Sequence, residues 1–346
     1  MKRMWRRLFA KRTAPARPLR TVARGSAADV MPTPARASVD APSPAAIEDS
    51  FYRFVLGLPK ADPDLSQASA PESATLKRLD ALAERFDVRS LPRLPVVLPQ
   101  LLRALKNDVL GGGQLAALIG RDPVLVGEVM RVTSSAHYRT AQPIHSLQQA
   151  VVLLGHEGLR RVATQHVMKP ILQASAGMHG HMAGPHLWDH AERCAHACAY
   201  LGRHNGCDPF EAYLAGMVCH AGTGAIVRLL DQEVPPQLGT YSPAFLAGCM
   251  QLGARLSLRA AEHWQLPDNV VRALGERIDV AASPLSQLGK SLRCANALAM
   301  VQLLGERALL DAELDCSMGW PECFSSPVLL RCQQDLRRQF RAARIP

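Results

Sequence analysis

Aromatic side chains make up only 5% of this 346-residue chain and charged ones only 20%, although 48% of residues are hydrophobic. No window comes near the roughly 18 uninterrupted apolar residues of a spanning helix, which excludes one on that criterion. No apolar stretch of signal-peptide type follows the basic start, and the nine cysteines form no regular framework. These two absences exclude a secreted disulfide scaffold, so free buried thiols in a cytoplasm are expected. A long alternating run of β-branched residues is missing, and so is any repeat of fixed period, which excludes sheet-built and solenoid architectures. What remains has ample length for one large core or two modest ones.

The formal net charge of +10 points to nucleic acid or an anionic membrane only if it lies on a folded face. It does not. Residues 1–36 carry ten Lys/Arg against Asp29 alone, a net +9, and residues 37–346 carry 30 basic and 29 acidic side chains. Residues 1–46 are rich in Ala, Pro, Ser and Arg and are expected to be disordered, because they hold too little apolar surface to offset ordering entropy. Met4, Trp5, Leu8 and Phe9 recur at helical spacing among basic residues. Two readings of residues 1–36 therefore stand: a solvated basic arm, or a contact with an anionic leaflet or nucleic acid. A transit-type peptide also has this composition. The apolar patch Phe51, Tyr52, Phe54, Val55, Leu56 and Leu58 is expected to dock back on the body, and 60–74 reads again as linker. The expected division is a disordered tail and linker over 1–75 and a helical domain over 76–346.

From Leu76 onward the apolar residues recur every three or four positions. Leu76, Leu79, Leu82 and Ala83 form one stripe, and Val97, Leu98, Leu101, Leu102 and Leu105 a second that breaks at Gly111–Gly113. Asp122 before Pro123 predicts a capped helix start, as does Asp208 before Pro209 with Glu211. Ser146 and Gln149 form a capping box for a helix that Gly155 should end; the next helix should stop at Pro170. Gly177–Gly184 reads as a loop, and further helices are predicted over about 188–201, 244–264, 268–278 and 285–304. The fold class is all-α, a multi-helical bundle in two packed lobes.

In this order the motifs become recognisable. Leu91-Pro92-Arg93-Leu94-Pro95, Arg121-Asp122-Pro123, Ser134-Ser135-Ala136, Pro143-Ile144 and Ser146–Gly155 are followed by Leu187-Trp188-Asp189-His190, Asp208–Gly216 and Trp264-Gln265-Leu266-Pro267. Over about residues 85–300 the chain resembles the HDOD family, the HD-related output domains of bacterial signalling proteins. The resemblance implies an all-helical fold related to the HD metal-dependent phosphohydrolases, and a regulatory role.

An HD hydrolase holds one or two divalent metals with several His and Asp side chains, and the metal activates water against a phosphoester. On the resemblance, His190 matches the first histidine of that set. Cys219-His220 stands where His-Asp is expected, Gly253 lies near the next histidine, Glu276-Arg277 replaces a histidine pair, and Asn296 replaces the distal aspartate. One ligand of the set survives. The expectation is a degenerate hydrolase fold with no catalytic, cofactor or metal site, whose vestigial pocket is His190, Cys219, His220, Glu276 and Asn296.

Thiol and imidazole together suit zinc, and His186, His190 and Cys194 are four apart, with Cys198, Cys219 and His220 as further donors. The spacings match no zinc ribbon or finger, so core cysteines and hydrogen-bonded histidines are expected instead. The run His179, His181, His186, His190 and His196 reads as loop and surface histidine. Cys219 and His220 point about 100° apart if helical and make no nucleophile–base pair by themselves. Gly111-Gly112-Gly113 lacks the Lys and Ser/Thr of a phosphate loop and reads as a turn, and Trp188 and Trp264 read as core anchors.

The function expected is a non-catalytic signal-transduction module that binds a protein partner or a small signalling ligand, in the cytoplasm or at a membrane surface. The alternative is a divergent metal-dependent phosphohydrolase. No receiver, GGDEF-type or EAL-type segment is present in the sequence, so the input is expected from another chain or through the tail.

Overall fold

The structure, a computed structural model, describes residues 42–61, 67–85, 112–135, 138, 144–173, 177–233, 241–278, 284–310 and 324–342. The basic segment 1–36, the Leu91–Pro95 motif, the Val97–Leu105 stripe, Ala136 and Pro143 lie outside them. All regular elements among the described residues are α-helices, and Ala41–Pro346 forms one compact unit.

Helix α1 (Pro44–Leu56) lies inside the stretch assigned to tail and linker, and that assignment is corrected here. Ser43 Oγ accepts from Ala46 N, Pro44 fits the first turn, and Gly57 closes the helix at φ 67°. Ile47, Phe51 and Val55, spaced by four, face inward and are buried. Arg53 is buried as well; its guanidinium reaches Asp49 at 2.7 Å and the Tyr241 carbonyl at 2.7 Å. The docking of this apolar patch is real, and it takes a helix to do it. Helix α2 (Ala70–Arg85) also starts inside the supposed linker. Glu72 reaches back to Ser69 N and across to Ser242 N at 2.8 Å, which pins the helix start to the body.

Helices α3 (Gly112–Ile119), α4 (Pro123–Thr133) and α5 (Leu147–Gln173) pack together as the first lobe. Gly112 and Gly113 open α3 and do not form a turn. Asp122 accepts from Val124 N and Leu125 N, as its place before Pro123 predicts. Gly155 breaks α5 at φ 60°, ψ −178°, but the helix continues past Pro170 to Gln173. A proline costs a helix one backbone bond and a steric clash. Here Met168, Ile171 and Leu172 are buried around it, and that burial offsets the loss.

The second lobe is built on α6 (Met178–His204), which absorbs the predicted loop 177–184 and tolerates Pro185. Asp231 explains the early start: it accepts from His179 N at 3.0 Å and Gly180 N at 2.9 Å, and takes the His179 ring at 2.6 Å. Around α6 pack α7 (Pro209–Val218), α8 (Ala221–Glu233), α11 (Gln287–Glu306) and α12 (Ser326–Ala342). Helix α9 (Pro243–His263) lies on α8, and α10 (Asp268–Gly275) bridges α7, α9 and α11. Trp188 and Trp264 are 8% exposed and serve as core anchors. Pro209–Gln232 is long and apolar enough on average to cross a membrane, although no uninterrupted run shows it. It is two core helices joined by a turn at Cys219-His220, and most of it is buried in the protein.

Candidate functional site

Two glycines gather the site. A Cβ on Gly216 of α7 would stand 2.6 Å from the Cys194 carbonyl oxygen, and one on Gly222 of α8 would stand 2.3 Å from the Gly253 carbonyl oxygen. Without side chains at these positions α7 touches the backbone of α6, and α8 touches that of α9. The turn between α7 and α8 is thereby pressed against the inner face of α6, where Leu187, His190, Ala191 and Cys194 repeat at three and four residues.

His190, Cys219 and His220, all 1% exposed or less, place one donor atom each within 4.8 Å of the others. The imidazoles meet edge to face with ring centres 4.7 Å apart. Asn296 of α11 ties them together: its carbonyl lies 3.4 Å from His190 Nε2, and its side-chain oxygen 2.9 Å from His220 Nε2. His220 Nδ1 is 3.1 Å from Thr223 Oγ1. Cys219 Sγ faces the Gly216 carbonyl at 3.1 Å and Cys194 Sγ at 3.8 Å. Four of the five vestigial positions therefore converge. Glu276 does not join them: its carboxylate accepts from Ser286 N at 3.1 Å and Ser286 Oγ at 2.9 Å, at the start of α11.

Sequence reasoning missed what closes the pocket. Phe51 of α1, fully buried, lies with its ring centre 4.8 Å from His190 and 6.0 Å from His220, and Tyr52 lies 6.0 Å from His220. Arg277, at a position where the family resemblance implies a histidine, has a structural part. It donates to the Cys219 carbonyl and holds the turn from below. The signal for α1 was present in Ser43-Pro44 and Gly57, but no local pattern says which surface an apolar face will meet. The histidine run divides. His179 and His190 are core residues, correcting the loop-and-surface assignment for both, while His181 is exposed and His186 is half-buried against Phe54 at 4.1 Å.

Burial pushes His190 down to about 3, with Arg277 and Arg193 adding to the shift. Burial, the His190 ring and Arg277 push His220 well below the usual histidine range. Both rings are neutral in the fold. Unfolded histidines bind protons near pH 6.5, so stability is complete above that pH and is lost as pH falls below it. Each ring is expected to cost up to about 1.4 kcal/mol per pH unit there. Urea unfolding at pH 6.5, 5.5 and 4.5 should show the midpoint falling, with a shallower fall in His190→Gln. Equal slopes in the two proteins would contradict this.

A two-metal hydrolytic centre calls for hard oxygen ligands. The cluster offers one amide oxygen, two imidazoles and a thiol, and Glu276, the carboxylate expected in the pocket, accepts from Ser286 instead. Both ring nitrogens of His220 are engaged within the protein, though His190 Nδ1 is buried without a partner. These residues do not fit a hydrolytic magnesium or manganese pair.

The HDOD domain family matches residues 91–279, more than half of the chain. This chain belongs to the HDOD family. Over 248 residues the HDOD chain is 24% identical to an uncharacterized protein of Treponema pallidum (strain Nichols), covering 66% of this chain and 45% of that protein. It thus spans under half the length of that relative. An HDOD domain protein of unknown function from Geobacter sulfurreducens aligns with a TM-score of 0.56 at 19% identity, over 78% of this chain and 97% of its own. A Shewanella amazonensis protein, provisionally described as a metal-dependent phosphohydrolase, aligns at 0.55 and 18% identity, over 79% and 100%. These likenesses establish an all-helical fold shared with those proteins.

Proposed function

We propose that this HDOD protein is a signal-transduction module that acts by binding a protein partner or a small signalling ligand, and not by hydrolysis. One observation supports this most: His190, Cys219, His220 and Asn296 meet in a buried cluster under Phe51, with no carboxylate among them. A hydrolase at this position needs a charged, metal-holding and water-accessible cleft, and burial favours the neutral form of both histidines. The basic segment 1–36, set apart by charge from a nearly neutral body, serves as a tether.

The test is turnover of bis(p-nitrophenyl) phosphate with added Mn²⁺ or Mg²⁺, by the parent protein and His190→Ala. Equal background rates are expected. Metal-dependent turnover that disappears in His190→Ala would establish the divergent phosphohydrolase instead.

A further inference from the structure

Beside the closed histidine pocket runs an open cleft of about 860 Å³, between α1, α9, α10 and α11. Small-molecule sites typically measure about 300–1,000 Å³, mostly apolar with a few convergent polar groups. One wall here is apolar, from Ala247, Met250 and Ala254 of α9; the polar groups include Tyr52, Asn296, Arg277 and Arg293.

Three carboxylates and two guanidinium groups line the cleft, and none of the carboxylates forms an ion pair with either guanidinium. Asp49 is committed to Arg53 at 2.7 Å, and Glu276 to Ser286. Arg277 gives one N–H to the Cys219 carbonyl and forms no ion pair among the described residues, and Arg293 is exposed and likewise forms none. Glu48, on the exposed side of α1, feels both guanidinium groups: partial desolvation raises its carboxyl above the usual range and the two arginines pull it back. Both guanidinium groups thus line the cleft without a carboxylate at ion-pair distance among the described residues.

We propose that this cleft binds a small organic anion, with a phosphate or carboxylate head at Arg277 and Arg293 and an apolar body along the Ala247–Met250–Ala254 wall. Arginine forks match both head groups in a bidentate manner. This rests on the reading of the protein as a binding module and names the ligand chemistry of its site. Asn296 lines the cleft and also holds His220 Nε2, and Tyr52 lines it while lying against the His220 ring. A bound anion therefore touches the residue that organises the core pair and the helix that caps it.

Isothermal titration of the full chain with AMP and with 4-phenylbutyrate tests this and distinguishes the head groups. At least one should bind saturably. Arg293→Ala should weaken that binding about tenfold or more, the usual loss for a hydrogen bond to a charged group. Glu48→Gln should strengthen it several-fold. Arg255→Ala, which breaks only a surface pair with Asp80, should leave it unchanged. Absence of saturable heat with both probes would overturn the proposal, and so would binding indifferent to Arg293→Ala, which would place the anion on the basic tail. Hydrolysis of the phosphodiester probe would refute the regulatory reading while leaving the cleft standing. Lack of binding with no hydrolysis would refute the cleft and leave a protein-binding module.

Discussion

Replacing Gly222 by alanine is expected to cost more than about 4 kcal/mol, a large part of the roughly 5–15 kcal/mol that holds a domain folded. The added methyl carbon would stand 2.3 Å from the Gly253 carbonyl oxygen, 2.5 Å from Ser257 N and 2.6 Å from Leu256 Cβ. Two of these three atoms are backbone, so no rotamer change relieves the clash; α8 and α9 must separate. Overpacking a core with a single methylene commonly costs about 1–3 kcal/mol when side chains can yield, and here they cannot. Separation would also break the bond from Gly222 N to Ser257 Oγ at 2.9 Å. Urea unfolding is the measurement. A midpoint equal to that of the parent would mean that the two helices do not touch. Gly206, whose added Cβ would meet nothing, has φ 69° and is disfavoured for a different reason, backbone strain. The contrast between the two positions separates close approach from conformation.

Phe51→Ala is the second large effect, expected to cost about 3–5 kcal/mol. The ring is fully buried and touches Tyr52, with centres 5.2 Å apart, as well as His190 and His220. Its removal leaves a void directly over two neutral imidazoles, and water entering there would lift the desolvation that keeps them neutral. Two readouts follow. The urea midpoint should fall, and the His190 ring, followed by NMR, should titrate closer to pH 6.5 than in the parent. A loss below about 1 kcal/mol together with an unchanged titration would show that α1 does not seal the pocket.

Much of the fold was legible in the chain because it is governed by local chemistry. Asp122-Pro123 and Asp208-Pro209 start helices where an N-cap oxygen must precede a proline, and Gly155 breaks one where φ is positive. The errors are equally local in origin. Pro170, Gly112-Gly113 and the stretch from Met178 to Gly184 look like breakers or loop, yet each sits in helix, with Gly177 as the N-cap. For Pro170 and the 177–184 stretch, packing of Ile171 and Leu172 and the Asp231 contacts outweigh propensity. Helix α12 escaped notice, although Leu329, Cys332 and Leu336 carry the three-to-four spacing that marks its buried face.

The scarcity of aromatic residues and the absence of a cysteine framework and of alternating strands, together with the separation of charge, determine a helical body and a basic N-terminal segment apart from it in composition. Periodicity and capping are properties of neighbours in the chain, so a sequence carries them by itself. That His190 of α6, the Cys219-His220 turn and Asn296 of α11 meet under Phe51 of α1 is a different kind of fact. It depends on distances set by the bare backbones of Gly216 and Gly222 across helices far apart in the chain. Whether those donors face water or each other was decided only by tertiary packing, because burial, and not residue type, fixes their charge.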